Sequence, residues 1–298
     1  MKDNTLIVIG GATGSGKTDM AIRLALHFGA DIISADSRQV YKELAIGSAA
    51  PDATQLALAN HHFVGSHSIH EPFNAGIFAD QAEEKLQQLF QKNAIQILCG
   101  GSGLYIKALV EGMDELPKVS EEIRAYVMDV YQREGLEKLQ SWLQEKDPQY
   151  AQSVDIHNKA RLMRALELIE ASGKTYSSMR SGTKKELPFK VLYLTTTLER
   201  ESLYERINQR TTKMVDAGWL DEARDLHPFK TLKASQTVGY TELFDHFEGK
   251  TDLTECLALI RQNTRRYAKR QVTWFKHQSP AIEVSPEIEP REIEKMLD

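Results

Sequence analysis

TLIVIGGATGSGKTDMAIRLALHFG, residues 5–29, decides how the rest of the chain is read. A short apolar run ends in glycines, and Ala21, Leu24, Ala25 and Phe28 then recur at helical spacing before Gly29. That is strand, loop, helix. Between strand and helix, GATGSGKT at 11–18 matches the G-x-x-x-x-G-K-[ST] phosphate loop. Its glycines let backbone N–H groups face phosphate oxygens, the helix N-terminus adds partial positive charge, Lys17 neutralises, and the Thr18 hydroxyl can hold a magnesium ion. Gly11, Ala12, Thr13, Gly14, Ser15, Gly16, Lys17 and Thr18 are therefore candidate diphosphate ligands, with Thr18 the candidate metal ligand. The loop calls for a di- or triphosphate without saying which one.

Working outward, apolar runs at 32–35, 95–99 and 189–197 read as further strands, the third ending in a second glycine-rich turn, GGSGLY at 100–105. Strands of this kind separated by helices predict an α/β fold, a parallel sheet covered on both faces. Over 114–186 no convincing strand occurs. Leu136, Leu139, Trp142 and Leu143 mark one helix, and Leu162, Ala165, Leu166 and Ile169 another, which Gly173 should stop. The expectation is a phosphate-loop core from 1–113 and 187–298, an all-helical insertion over 114–186, and a polar return to the sheet at 177–186. After Leu198 the chain reads as mostly helical, with Pro280, Pro286 and Pro290 breaking a tail of little evident structure.

With 298 residues, 41% hydrophobic and 27% charged, the chain can bury one full core and carry a smaller second lobe. Two cysteines, Cys99 and Cys256, are too few for a disulfide framework, so a reducing compartment, the cytoplasm, is expected. No run approaches membrane-spanning length, and no obligate protein partner is evident. The net charge of -5 excludes a uniformly basic protein, so any nucleic-acid surface must be local. Residues 256–282 contain no Asp or Glu yet hold Arg261, Arg265, Arg266, Lys269, Arg270 and Lys276, interleaved with Tyr267, Trp274 and Phe275. Such a mixture suits neutralised phosphates and stacked bases, although the aromatics, Trp274 above all, also suit a core. In HNKARLMRALELIEASGK, Arg161 and Arg164 form a second basic face, with phosphate contacts or simple solvation both open.

Asp36 closes the second strand in ISADSRQVY, at the carboxyl edge of the sheet near the phosphate loop. A lone aspartate there also serves as a cap or turn former, but Ser37, Arg38 and Gln39 add a polar run that a cap does not need. The Ser102 hydroxyl of GGSGLY could reach a ligand's phosphates. Arg206 and Arg210, one helical turn apart after the fourth strand, are either a salt-bridged solvated face or a diphosphate clamp.

Taken in series, GATGSGKT, DSRQVY, GGSGLY, HNKARLMRALE, SQTVGYTE and KRQVTWF resemble the tRNA dimethylallyltransferase family of bacterial type, over residues 11 to about 276. The resemblance implies a prenyl transferase with dimethylallyl diphosphate as donor, magnesium as cofactor, and the adenine at tRNA position 37 as acceptor. It implies Asp36 as general base, Ser102 at a position more often threonine, and Arg210 as the diphosphate-binding arginine. It further implies tRNA contacts at Asp36, Ser37, Arg38, Gln39, Arg124, Arg161, Arg164, Gln236, Gly239, Tyr240, Lys269, Arg270, Gln271 and Trp274, the inserted helices gripping the anticodon stem-loop.

The chemistry then reads from its parts. The exocyclic amine of adenine is a poor nucleophile, so it must be positioned and deprotonated as the bond forms. Departing diphosphate develops negative charge that the loop, Lys17 and a clamp arginine can stabilise. A nucleoside or small-molecule kinase shares the nucleotide-binding, ATP-type loop but needs no acid-free basic strip. An adenylate isopentenyltransferase acting on free nucleotide shares the core chemistry but needs neither that strip nor the inserted basic helix. A GTPase-like RNA-binding module should carry an N-K-x-D-type guanine-reading motif, which is absent.

Overall fold

The computed structural model describes residues 4–114, 116–180, 182, 185–277 and 281–297. Six strands, β1 (Thr5–Gly11), β2 (Ile32–Ser34), β3 (His61–His62), β4 (Ile95–Gly100), β5 (Lys190–Thr196) and β6 (Ile282–Val284), form one all-parallel sheet in the order β3-β2-β4-β1-β5-β6. Helices α1 (Lys17–Phe28), α2 (Ala53–Leu58), α3 (Ala75–Phe90) and α4 (Gly103–Val110) connect and follow the first four strands. After them come α5 (Glu121–Lys146), α6 (Pro148–Ser153), α7 (Lys159–Ser172) and α8 (Tyr176–Met179). The chain then runs through α9 (Arg200–Asp216), α10 (Trp219–Leu226), α11 (Tyr240–Phe247), α12 (Leu253–Lys276) and α13 (Pro290–Glu294). Two compact units result, Met1–Glu111 with Glu186–Asp298, and Gly112–Lys185. Among the described residues no helix is long and apolar enough to cross a membrane.

Strand period explains the central layer. Leu6 and Val8 of β1 join a core with α3, α4 and Phe275 of α12, whereas Ile7 and Ile9 join the opposite core with Met20 and Leu24 of α1. A strand buried on both faces is apolar without alternation, as TLIVI is. Gly10 pairs with Gly100 of β4 and Thr195 of β5, so both glycine-rich turns leave the sheet at the same level.

The tail departs from expectation. β6 pairs with β5, Leu194 opposite Ile282 and Thr196 opposite Val284, and α13 places Ile293 in the α1 core. Pro290 starts α13 rather than breaking a segment, its missing N–H falling where a helix leaves N–H groups unpaired anyway. Elements of three and five residues are too short to display a period. Pro280 and part of the return at 177–186 lie outside the described residues.

In the second unit the helix marked by Leu136 to Leu143 is the latter limb of α5, which breaks at Gly135 (φ 76°, ψ −167°). Gly173, left-handed at φ 68°, ends α7. The limbs of α5 pack on α7 through Val127, Val130, Leu139, Leu143, Leu162 and Leu166. Asp147 is buried and satisfied, accepting from Tyr150 N (3.0 Å), Ser177 N (2.7 Å) and Ser177 Oγ (2.8 Å).

Candidate active site

The loop between β1 and α1 turns on glycines with positive φ, Gly14 at 84° and Gly16 at 85°. α1 begins at Lys17 with no side-chain cap, so its first-turn N–H groups have no intrahelical acceptor and suit an anion. The rest of the loop is pinned. Ser15 Oγ, buried, shares a 2.6 Å hydrogen bond with Thr196 Oγ1 at the end of β5, and Ser15 N–H donates to Ala12 O (3.2 Å). Thr13 is held twice: its N–H donates to Gln271 Oε1 (2.8 Å) and its hydroxyl accepts from Arg210 Nη2 (2.7 Å). Lys17 Nζ donates to Ala12 O at 2.6 Å. Burial pushes the Lys17 ammonium down to about 8, with the Arg210 cation adding to the fall and Cys99 and Asp36 opposing it. Burial also lowers the Arg210 value, and the Asp36 charge raises it.

Asp36 follows β2 in a tight turn. Its Oδ1 accepts from Arg38 N (2.9 Å) and Gln39 N (3.3 Å), so one oxygen does turn-forming work, as a lone aspartate at a strand end commonly does. The same turn is braced by Gln39, which accepts from Ser34 Oγ (3.2 Å) and donates to Ala49 O (3.0 Å). Arg38 Nη1 donates to the carbonyls of Lys233 (3.4 Å) and Ala234 (3.3 Å).

These parts border one cleft of about 860 Å3, lined wholly by residues of the first unit. Thr13, Gly14, Gly16, Lys17 and Thr18 form one wall; Asp36, Ser37, Arg38 and Gln39 form another. Arg206 and Arg210 enter from α9, Tyr267, Arg270 and Gln271 from α12, and Gln236 from the segment before α11. A glycine-rich wall at a helix N-terminus, a carboxylate and several cations thus line one space.

The family described as "IPP transferase" matches this sequence over residues 39–278. A tRNA dimethylallyltransferase of Christiangramia forsetii is 46% identical over 92% of this chain and 90% of its own length. Another from Bacteroides thetaiotaomicron is 42% identical over 97% and 94%. Among solved structures, a tRNA isopentenylpyrophosphate transferase from Bacillus halodurans superposes with a TM-score of 0.71 at 29% identity, covering 99% of this chain and 94% of that one. The chain belongs to the IPP transferase family.

Membership does not place individual side chains, and several expected contacts sit elsewhere. Tyr240 is fully buried, its hydroxyl donating to Glu222 Oε1 at 2.5 Å in a core with Trp219, so it is no surface contact for tRNA. Gly239 is buried against Trp219, with its N–H on Glu242 Oε2 (2.7 Å); its φ of 100° and that contact explain the glycine. Gln271 is buried and spends both ends of its amide on the protein. Ser102 does not line the cleft: its Oγ accepts from Ser37 N (2.9 Å) and donates to Ser37 Oγ (3.2 Å). Trp274 is half-buried with its indole over Gly103, and packs on the core.

Lys269 is exposed outside the cleft, beside Gly11, Ala12 and Ser15 in a second hollow of about 610 Å3. Arg124, Arg161 and Arg164 are exposed in the second unit, where Glu167 forms an ion pair with Arg164 (3.4 Å). Sequence spacing singled out neither Tyr267 for the cleft nor Cys99, whose thiol donates to Lys17 O (3.6 Å). Tyr267 stands four residues before Gln271, so one helical stripe carries both. Its phenol is pushed up to about 12, chiefly by burial and then by the Asp36 charge.

Proposed function

We propose that this enzyme transfers a dimethylallyl group from dimethylallyl diphosphate to the N6 amine of adenosine 37 in tRNA, releasing diphosphate. The observation that carries the reading is a single cleft in which the Asp36 carboxylate faces the phosphate loop, Lys17 and Arg210. A bond forms from N6 to the allylic carbon as that carbon's bond to the diphosphate oxygen breaks. The N6 proton passes to Asp36, whose orientation is fixed by the two N–H groups on Oδ1. The leaving charge is met by the first-turn N–H groups of α1, by Lys17 and by Arg210.

Magnesium is the proposed cofactor, and the residues present fit it. Among the described residues no group of three or more His, Cys, Asp or Glu side chains could hold a metal, so a hard cation would take one oxygen from Thr18 and the others from diphosphate and water. When bound it supplies counter-charge to the diphosphate.

The acceptor is a macromolecule in this reading because each unit exposes cations that do not line the cleft, Lys269 in the first and Arg124, Arg161 and Arg164 in the second. The adenine must leave its stack to reach Asp36, at a cost of a few kcal/mol. We place the reaction in the cytoplasm, where both cysteines, free in the structure, stay reduced.

Incubation with labelled dimethylallyl diphosphate, magnesium and unmodified tRNA tests the proposal. Label is expected in the RNA at one adenine. Label that stays in the donor, or phosphoryl transfer from ATP in a parallel reaction, overturns it.

A further inference from the structure

Gln271 stands where the two halves of the cleft are joined. It is only 6% exposed, its Oε1 accepts from Thr13 N–H (2.8 Å), and its Nε2 donates to Gly101 O (2.8 Å). Gly101 is glycine for this approach, because a Cβ there would lie 2.5 Å from Nε2. From Gly101 the connection continues. Ser102 N–H donates to Ala35 O (3.2 Å), and Ser102 Oγ accepts from Ser37 N (2.9 Å), so the GGSG turn grips the residues on either side of Asp36. On its other side Thr13 takes the guanidinium of Arg210 on its hydroxyl. One amide therefore ties the donor-holding loop to the turn that carries the base.

We propose that Gln271 is a positioning residue that sets the separation between the phosphate loop and Asp36, and hence between the bound diphosphate and the acceptor amine. The inference rests on the transfer reaction proposed above. Of Gln, Met and ionised Glu, which share this length, only the amide accepts at one end and donates at the other. Met has the reach of Gln, no donor, and only a weakly accepting sulfur. An ionised Glu still accepts from Thr13 N–H but has no proton for Gly101 O. A protonated Glu restores both bonds, its carbonyl accepting and its hydroxyl donating.

The test compares Gln271→Met and Gln271→Glu with wild type in three measurements: single-turnover transfer per titrated active site at saturating donor and tRNA, calorimetric binding of inorganic diphosphate with magnesium, and tRNA affinity. Each buried bond lost corresponds to roughly tenfold. Both variants are expected to transfer about tenfold or more slowly per site, with tRNA affinity within twofold of wild type. The rate of Gln271→Glu, taken as a ratio to wild type at the same pH, should climb as pH is lowered, while that of Gln271→Met stays flat. A side chain that merely supports the fold would reduce the melting temperature and the number of active sites, not the rate per site. A per-site rate within twofold of wild type overturns the proposal, as does a Gln271→Glu deficit that equals that of Gln271→Met at every pH. Should wild type transfer no label at all, the transfer reading fails by itself. The loop contact is then read from diphosphate binding, which Gln271→Met should weaken about tenfold and leave unchanged if the brace is inert.

Discussion

Asp36 gives one carboxylate oxygen to its own turn, and among the described residues its other oxygen has no hydrogen-bond partner. That division suits a base, because the turn fixes direction while leaving an acceptor for the incoming proton. Asp36→Asn keeps an oxygen for the N–H groups of Arg38 and Gln39 and loses the base. Single-turnover transfer should fall about a hundredfold while both substrates still bind. Recovery at high magnesium would assign Asp36 to metal binding instead. Lys17 yields a second expectation. Its folded pKa is lowered from 10.5 to about 8, so in the free protein the ammonium is lost across that pH, whereas diphosphate selects the charged form. Diphosphate affinity measured without magnesium, taken as a ratio to that of Lys17→Arg at the same pH so that the ligand's own titration cancels, should be level below pH 8 and weaken by up to tenfold per pH unit above it. The stability sign is opposite. Between pH 8 and 10.5 the unfolded chain binds more protons at this lysine, so its contribution to stability rises with pH through that window. Calorimetry in buffers of different ionisation enthalpy should detect more proton uptake on diphosphate binding above pH 8 for wild type than for Lys17→Arg.

At the scale of elements, the last strand and helix show what a short segment contributes. Ile293 of α13 is fully buried against α1, and Val284 of β6 lies in the same core. Ile293→Ala should cost about 2–4 kcal/mol, read as a lowered urea midpoint with unchanged slope. A midpoint shift that, multiplied by the slope, gives less than about a tenth of that cost would detach α13 from the core. Neither element was legible in the sequence, since three or five residues carry too little pattern, whereas β1, the phosphate loop and α1 were legible because apolar run, glycines and helical spacing coincide over 25 residues. The cleft divides the same way. Lys17 and Thr18 follow from the motif and Asp36 from the strand end, whereas spacing leaves Arg206 and Arg210 level and only the family resemblance singles out Arg210. The brace made by Gln271, the turning of Ser102 toward Ser37 and the burial of Tyr240 do not follow, because spacing along a helix names a face and never the residue opposite it. α12 illustrates the point. Gln271 and Phe275 face inward while Lys269, Arg270, Thr273 and Lys276 stay exposed, so the basic strip whose aromatics could stack on bases or join a core has two faces with different work.

Taken whole, the chain is acidic, at -5, yet exposes cations in both units: Lys269 and Arg270 on α12, Arg161 and Arg164 on α7. A polyanion held by both should lose affinity from either pair, with a salt dependence that reports how many phosphates each pair meets. Neutralising Lys269 and Arg270 to Gln should reduce the slope of log affinity against log salt by roughly one per side chain, and Arg161 with Arg164 likewise. Arg164 already pairs with Glu167, but an exposed pair of this kind is worth little and yields readily to a phosphate. The four-residue variant should show the sum of the two slope changes, because counterion release counts contacts, while the affinity losses add only insofar as the two surfaces grip independently. Diphosphate binding discriminates between the units. Arg270 lines the cleft and Lys269 does not, so diphosphate affinity should change modestly with the α12 pair and not at all with the α7 pair. Filter binding of unmodified tRNA across a salt series, alongside calorimetry of diphosphate, measures both. A four-residue variant that binds tRNA as wild type does at every salt concentration would make these helices solvated faces and leave the tRNA to be held by the cleft alone.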